Sequence, residues 1–138
     1  MAIPKETRLA VIVRAGGRCE YCRTPLDYTP DPAVVDHIVP TTRGGVDTLE
    51  NLAASCWGCN GHKAAGTLGF DPQETRLTAL FHPRQDSWTE HFRWSGDGLR
   101  IAGLTAVGRA TVLKLNLNRP GLLNLRAVLK LAGKHPQK

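Results

Sequence analysis

Val35-Asp36-His37-Ile38-Val39-Pro40 is followed by Arg43-Gly44-Gly45, then Leu49-Glu50-Asn51-Leu52, then Cys56-Trp57-Gly58-Cys59-Asn60-Gly61-His62-Lys63. The span places a carboxylate beside an imidazole, then amides, then a thiol pair running into further polar side chains. Ala33 to Val39 is apolar and β-branched, which predicts a strand, and Pro40 ends its pairing. Thr41 to Thr48 reads as a glycine-containing loop and Leu49 to Ser55 as the returning strand. Trp57 to Ala65 reads as a short helix that starts inside the thiol pair. Two strands and a helix make a ββα unit. On an ideal strand Asp36 and His37 point to opposite faces, so the backbone is expected to bend there.

Upstream lies a second thiol pair, Cys19-Glu20-Tyr21-Cys22. Two thiolates separated by two residues can wrap one metal ion as a knuckle, and Cys56 with Cys59 supply the matching half of a structural Zn²⁺ site. Residues 23–55 separate the two pairs, more than the roughly 12–20 residues of a simple zinc ribbon. The insert between the knuckles is where Asp36, His37 and Asn51 lie. A redox role for the cysteines is disfavoured because no βαβ pattern surrounds either pair.

The Asp-His-Ile-x-Pro, Gly-Gly, Glu-Asn-Leu and Cys-x-x-Cys-Asn-x-x-Lys elements, in that order, resemble the HNH endonucleases, the ββα-metal nucleases. The closest likeness is to their bacterial branch with two zinc-binding Cys-x-x-Cys pairs. The resemblance implies a metal-dependent endonuclease that hydrolyses DNA and leaves 3′-hydroxyl and 5′-phosphate ends. It assigns His37 as general base, suited by a resting pKa near neutrality. It makes Asp36 an oxygen ligand of a catalytic Mg²⁺ or Mn²⁺, an ion distinct from the thiolate-bound zinc. Asn51 would hold the loop bearing His37. Asn60 takes the third-motif position, where many members carry histidine. His62, two residues on, is the rival metal ligand. Lys63 and Arg43 are candidate phosphate contacts, since both cations neutralise backbone phosphate without reading sequence.

The chain has 138 residues, with 18 Lys and Arg against 12 Asp and Glu, for a formal net charge of +6. Four thiolates and one Zn²⁺ would lower that to about +4, still suited to a polyanionic partner, which the resemblance implies is double-stranded DNA. Hydrophobic residues make up 41% and aromatics only 6%. The composition is globular, with too few aromatics for a large aromatic core, so a metal staple matters for stability. No apolar run is long enough to span a bilayer and the first residues lack a signal-peptide layout, so a cytoplasmic location is expected. That reducing setting favours metal over disulfides.

The rest of the chain reads more simply. Pro4 to Ala15 predicts a helix with Leu9, Ile12 and Val13 on one face and Lys5, Arg8, Arg14 and Arg18 toward solvent, closed by Gly16-Gly17. Thr24 to Pro32 reads as a loop, Gly66 to Pro72 as a turn-rich connection, Leu77 to Phe81 as a strand or extended segment, and Pro83 to Glu90 as a loop or short turn. His91 to Leu104 predicts a hairpin turning at Ser95-Gly96-Asp97-Gly98. Thr105 is a helix cap for Ala106 to Leu117, and Pro120 opens a last helix with Leu122, Leu125, Leu129 and Ala132 on one face and Val128 beside them. Trp88, Phe92 and Trp94 are expected in a core. His91 is expected to be structural, and His82 and His135 to lie on the surface.

Leu80-Phe81-His82-Pro83-Arg84, His91-Phe92-Arg93-Trp94 and Gly108-Arg109-Ala110-Thr111 extend the family resemblance into this half. The expectation is an α+β chain: a zinc-tethered ββα-metal module over 1–69 and a hairpin-plus-helices extension over 70–138. Two other functions fit parts of the pattern. One is a non-catalytic zinc module that binds nucleic acid, which leaves Asp36-His37 unexplained. The other is a zinc fold serving only protein interaction.

Overall fold

The computed structural model describes residues 3–136, which form an α+β chain. Among the described residues the strands make three two-stranded antiparallel sheets. No helix among them is long and apolar enough to cross a membrane. The chain divides into two compact units. One runs to Thr67 and includes His82–Asp86; the other comprises Leu68–Phe81 and the chain from Ser87 onward.

In the first unit, α1 spans Lys5–Arg14. Gly16 and Gly17 both take positive φ, and the Gly17 amide returns to the Ile12 carbonyl at 3.0 Å, which closes the helix end. The buried side of α1 is Val11, while Leu9 and Val13 face outward. Arg14 stays exposed as expected, whereas Arg8 is half-buried, and both bind loop carbonyls. Arg14 donates to the Leu49 and Leu52 carbonyls at 2.9 and 2.6 Å, and Arg8 to the Ala33 carbonyl at 3.0 Å. Long arginine stems cover apolar surface while the guanidinium satisfies loop carbonyls, which a periodicity argument cannot see.

β1 (Val34–His37) pairs with β2 (Leu52–Ser55), with Asp36 opposite Ala53 and His37 opposite Leu52. Every residue of β2 is buried. Leu49–Asn51, expected as part of the returning strand, is instead a short 3₁₀ turn that aims the Asn51 side chain back at β1. α2 spans Trp57–Lys63, and the Cys56 sulfur caps it by accepting from the Cys59 amide at 3.4 Å.

In the second unit, β3 (Leu68–Asp71) and β4 (Arg76–Ala79) form a hairpin where a turn-rich connection was expected before β4. Asp71 closes its turn by accepting from the Gln73 and Glu74 amides and is clamped by Arg109 through two hydrogen bonds of 2.9 and 3.0 Å. A helical turn, α3 (Trp88–His91), occupies what reads as loop. β5 (Phe92–Trp94) and β6 (Ile101–Gly103) make the expected hairpin. Thr105 caps α4 (Ala106–Lys114) by accepting from the Gly108 amide, and Pro120 opens α5 (Pro120–Leu131).

Phe81, Trp88 and Phe92 pack as a buried aromatic group, with Trp94 half-buried against Trp88. Two expectations fail here. Leu122 and Leu129 of α5 are buried as expected, but Arg126 rather than Leu125 joins them; it donates to the Leu99 and Leu117 carbonyls and lies 5.1 Å from the Trp94 ring centroid, while Val128 is exposed. His135, expected on the surface, is buried edge-on to Trp94, with Nε2 2.6 Å from the Gly98 carbonyl.

Candidate functional site

The four cysteines come together. Cys19, Cys22, Cys56 and Cys59 are all buried, and their sulfurs lie within 4.8 Å of one another. Four sulfurs held tetrahedrally at the usual zinc–thiolate length of about 2.3 Å would stand about 3.8 Å apart. The Cys22 and Cys56 sulfurs are 3.8 Å apart. The donor set and its closed, buried geometry fit a structural zinc ion. Hydrogen bonding to Cys19 pushes Cys22 and Cys56 toward thiolate.

The first knuckle is sewn to the sheet through its middle residues. The Glu20 amide donates to the Ala54 carbonyl at 2.9 Å, and the Glu20 carboxylate accepts from the Ala54 amide at 2.8 Å. Arg84 pairs with the other oxygen of Glu20. The next residue, Tyr21, is buried and donates its hydroxyl to Asp36 Oδ2 at 2.6 Å. Burial, and next to it the Asp36 charge, push the Tyr21 phenol well above its ordinary value, so it stays a donor.

Asp36 is only 5% exposed. Desolvation raises its carboxyl pKa, while Lys63 and the Tyr21 hydrogen bond act against that rise. Lys63, expected at a phosphate, is 2% exposed and turns inward instead. Its Nζ lies 3.1 Å from Asp36 Oδ2, 3.3 Å from Oδ1 and 3.2 Å from the His37 carbonyl. A buried carboxylate needs a partner, and Lys63 sits on the inward face of α2 where it can supply one. Arg43 does remain on the exposed loop, with Nε 3.3 Å from the Ala65 carbonyl.

Asp36, His37 and Asn60 line one cleft of about 320 Å³, together with Val34, Thr41 and Ala64. His62, the rival of Asn60, is exposed on α2 and is not part of that lining. The Asn60 carboxamide makes no hydrogen bond among the described residues, so its oxygen is available. Asp36 Oδ1 accepts only a long contact from Lys63, and a carboxylate offers about four lone-pair positions. An acidic oxygen and an amide oxygen fit a hard divalent cation that keeps several waters, and suit it better than they suit zinc.

Asn51 is 8% exposed and uses its whole side chain. Oδ1 accepts from the Val39 amide at 2.8 Å, and Nδ2 donates to the Val39 and Val46 carbonyls at 3.0 and 2.9 Å. It continues the β1–β2 ladder past the point where the returning strand has become a turn, since its own carbonyl accepts from Ile38 at 2.9 Å. Gly45 passes so close beneath this loop that a Cβ there would lie 1.7 Å from the Val39 carbonyl oxygen. The pinned loop then delivers a residue the sequence reading missed: Asp47, whose Oδ1 is 2.6 Å from His37 Nε2. Only its place two residues after the Gly-Gly pair signals it.

Residues 19–66 match the family model described as HNH endonuclease. This stretch is similar to the HNH endonucleases. It contains all four cysteines and all the candidate site residues. The Septu protein PtuB of Bacillus thuringiensis is 29% identical over 114 residues, 81% of this chain and 41% of that protein. The CRISPR-associated endonuclease Cas9 of Corynebacterium diphtheriae is 28% identical over 107 residues, 76% of this chain and 10% of that protein. Both likenesses run well beyond the length of that stretch. The chain therefore spans less than half of either relative. No solved structure matches it.

Proposed function

We propose that the HNH-like segment hydrolyses phosphodiester bonds in DNA, with His37 as general base and a divalent cation, Mg²⁺ or Mn²⁺, held by Asp36 and Asn60. The sulfur cluster would be occupied by zinc and act as a clamp. The observation that carries this reading is the shared cleft of Asp36, His37 and Asn60. None of the four sulfurs lines it, so the acid–base group and the hard oxygen donors converge away from the thiolates. A binding module alone has no use for that convergence. The relative named an endonuclease supports the same reading.

When bound, a hard divalent cation stabilises charge developing on the phosphate and on the leaving oxygen. The protein's own groups do the rest. The His37 imidazole, which lines the cleft, accepts a proton from the attacking water. Asp36 fixes the negative pole of the site, and Tyr21 and Lys63 hold its carboxylate in one orientation. Asn60 presents an uncharged oxygen from α2. Asn51 keeps the strand end rigid behind His37. Arg43, on the exposed loop, neutralises substrate phosphate, and the formal charge of +6 favours approach of a polyanion.

Incubation of supercoiled plasmid with Mg²⁺ or Mn²⁺ tests the proposal. Wild type should nick, and His37→Ala should be slower by about a hundredfold or more, the scale of a lost general base. Absence of nicking by wild type with either metal, or equal nicking by His37→Ala, would overturn it.

A further inference from the structure

We infer that Asp47 is a positioning residue for His37: it holds the ring with its proton on Nε2, which makes Nδ1 the nitrogen that takes the proton from water. The inference rests on the general-base reading of His37. An ionised carboxylate has no proton to give, so the 2.6 Å contact between Asp47 Oδ1 and His37 Nε2 requires the ring to donate. A neutral imidazole has one N–H. With that proton committed to Nε2, the lone pair sits on Nδ1, which makes no hydrogen bond among the described residues. The ring itself lines the cleft with Asp36 and Asn60.

The carboxylate is held in place by built features. Val46, the residue before it, is fixed through its carbonyl by Asn51 Nδ2 at 2.9 Å, and the same amide grips Val39 at the end of the His37 strand. Base and orienter therefore hang from one side chain. Gly45 admits the loop to that position because any Cβ would strike the Val39 carbonyl. The Asp47 side chain is 41% exposed and that of His37 23%, so water screens their charge interaction. What Asp47 supplies is therefore orientation and tautomer rather than fold stability.

The test uses the zinc-loaded full chain. Asp47→Ala should lower kcat about ten- to a hundredfold, the range seen when a group orienting a functional imidazole is lost, with little change in KM. Asp47→Asn should recover part of that loss, because its amide oxygen can accept the same bond. Without added Mg²⁺ or Mn²⁺, ¹⁵N-labelled wild type should show, through the carbon-bound ring protons, the His37 ring-nitrogen resonance pattern of a single Nε2–H tautomer, giving way to averaged tautomers in Asp47→Ala. Its absence from wild type overturns the inference whatever the activity. So does an Asp47→Ala protein that nicks as fast as wild type, or faster, since a faster variant would make Asp47 a latch on the ring. If wild type nicks no substrate while the pattern is present, the nuclease reading fails and the contact stands.

Discussion

Replacing Asn51 with alanine should loosen the loop behind His37 without unfolding the chain. The side chain makes three hydrogen bonds of 2.8, 3.0 and 2.9 Å to Val39 and Val46 and is almost fully buried. At about 0.5–1.5 kcal/mol net per bond, the loss is roughly 2–4 kcal/mol, with water re-entering at the half-buried Val39 holding it toward the lower end. A loss of that size lies below the 5–15 kcal/mol that typically holds a domain together, so most molecules stay folded. Asn51→Asp should do no better than alanine. It keeps the acceptor for the Val39 amide but turns an anion toward two carbonyl oxygens. Native-state hydrogen exchange gives the local readout. The Val39 amide should exchange about thirtyfold to several hundredfold faster, at a factor of ten per 1.4 kcal/mol. Nicking should fall with it, because both His37 and Asp47 depend on this loop. Unchanged Val39 exchange together with full nicking would refute the reasoning.

Chelation should separate the two units. Stripping the ion from the cysteine cluster removes the clamp of the first unit, so nicking and the cooperative unfolding of that unit should both disappear. The near-UV signal from Trp88 and Trp94 in the second unit should persist. Mg²⁺ alone should not restore activity, whereas Zn²⁺ followed by Mg²⁺ should. Acid should act on the second unit through Asp71. Its carboxyl is held at about 2, chiefly by the hydrogen bonds from Arg109, against an ordinary value of 3.8. A depressed folded pKa means the stabilisation is complete above the ordinary value and fades as pH falls toward 2. Unfolding midpoints followed by Trp fluorescence should drop over that window in wild type and drop less steeply in Asp71→Asn, where the lowered Asp97 carboxyl still contributes.

Elements with local punctuation were legible in the sequence. Thr105 caps α4, Pro120 opens α5 and Gly16-Gly17 closes α1, each through a preference belonging to that residue itself. β3 was missed because its alternation is inverted: Leu68 and Phe70 are exposed while Gly69 and Asp71 are buried, so its apolar pattern does not mark a core face. Arg126 displaced the expected leucine because unpaired carbonyls at Leu99 and Leu117 converge there, a fact of tertiary structure only. The candidate site divides the same way. The cysteine cluster followed from spacing. Tyr21 and Lys63 at Asp36, and Asp47 at His37, depend on where an irregular loop and a helix face end up. No periodicity carries that information.

The metal clamp and the cleft are joined by short covalent and hydrogen-bonded paths, which explains why so small a unit can hold a buried carboxylate. Tyr21 lies between two of the cysteines and donates to Asp36; Asn60 directly follows Cys59; Lys63 is one helical turn further along and neutralises the same carboxylate. The cysteine cluster thus fixes opposite walls of the cleft, β1 through the Tyr21 hydroxyl and α2 through its cap at Cys56. Without the Lys63 and Tyr21 contacts, desolvation would favour the neutral acid at Asp36, which binds a cation poorly. With them that rise is opposed, and on the proposed function a cation entering the cleft would meet a carboxylate already contacted by the nearby ammonium. Such a site favours an ion that arrives with its own waters and with substrate phosphate as further ligands. On the proposed function that ion is magnesium or manganese rather than a metal caged entirely by protein.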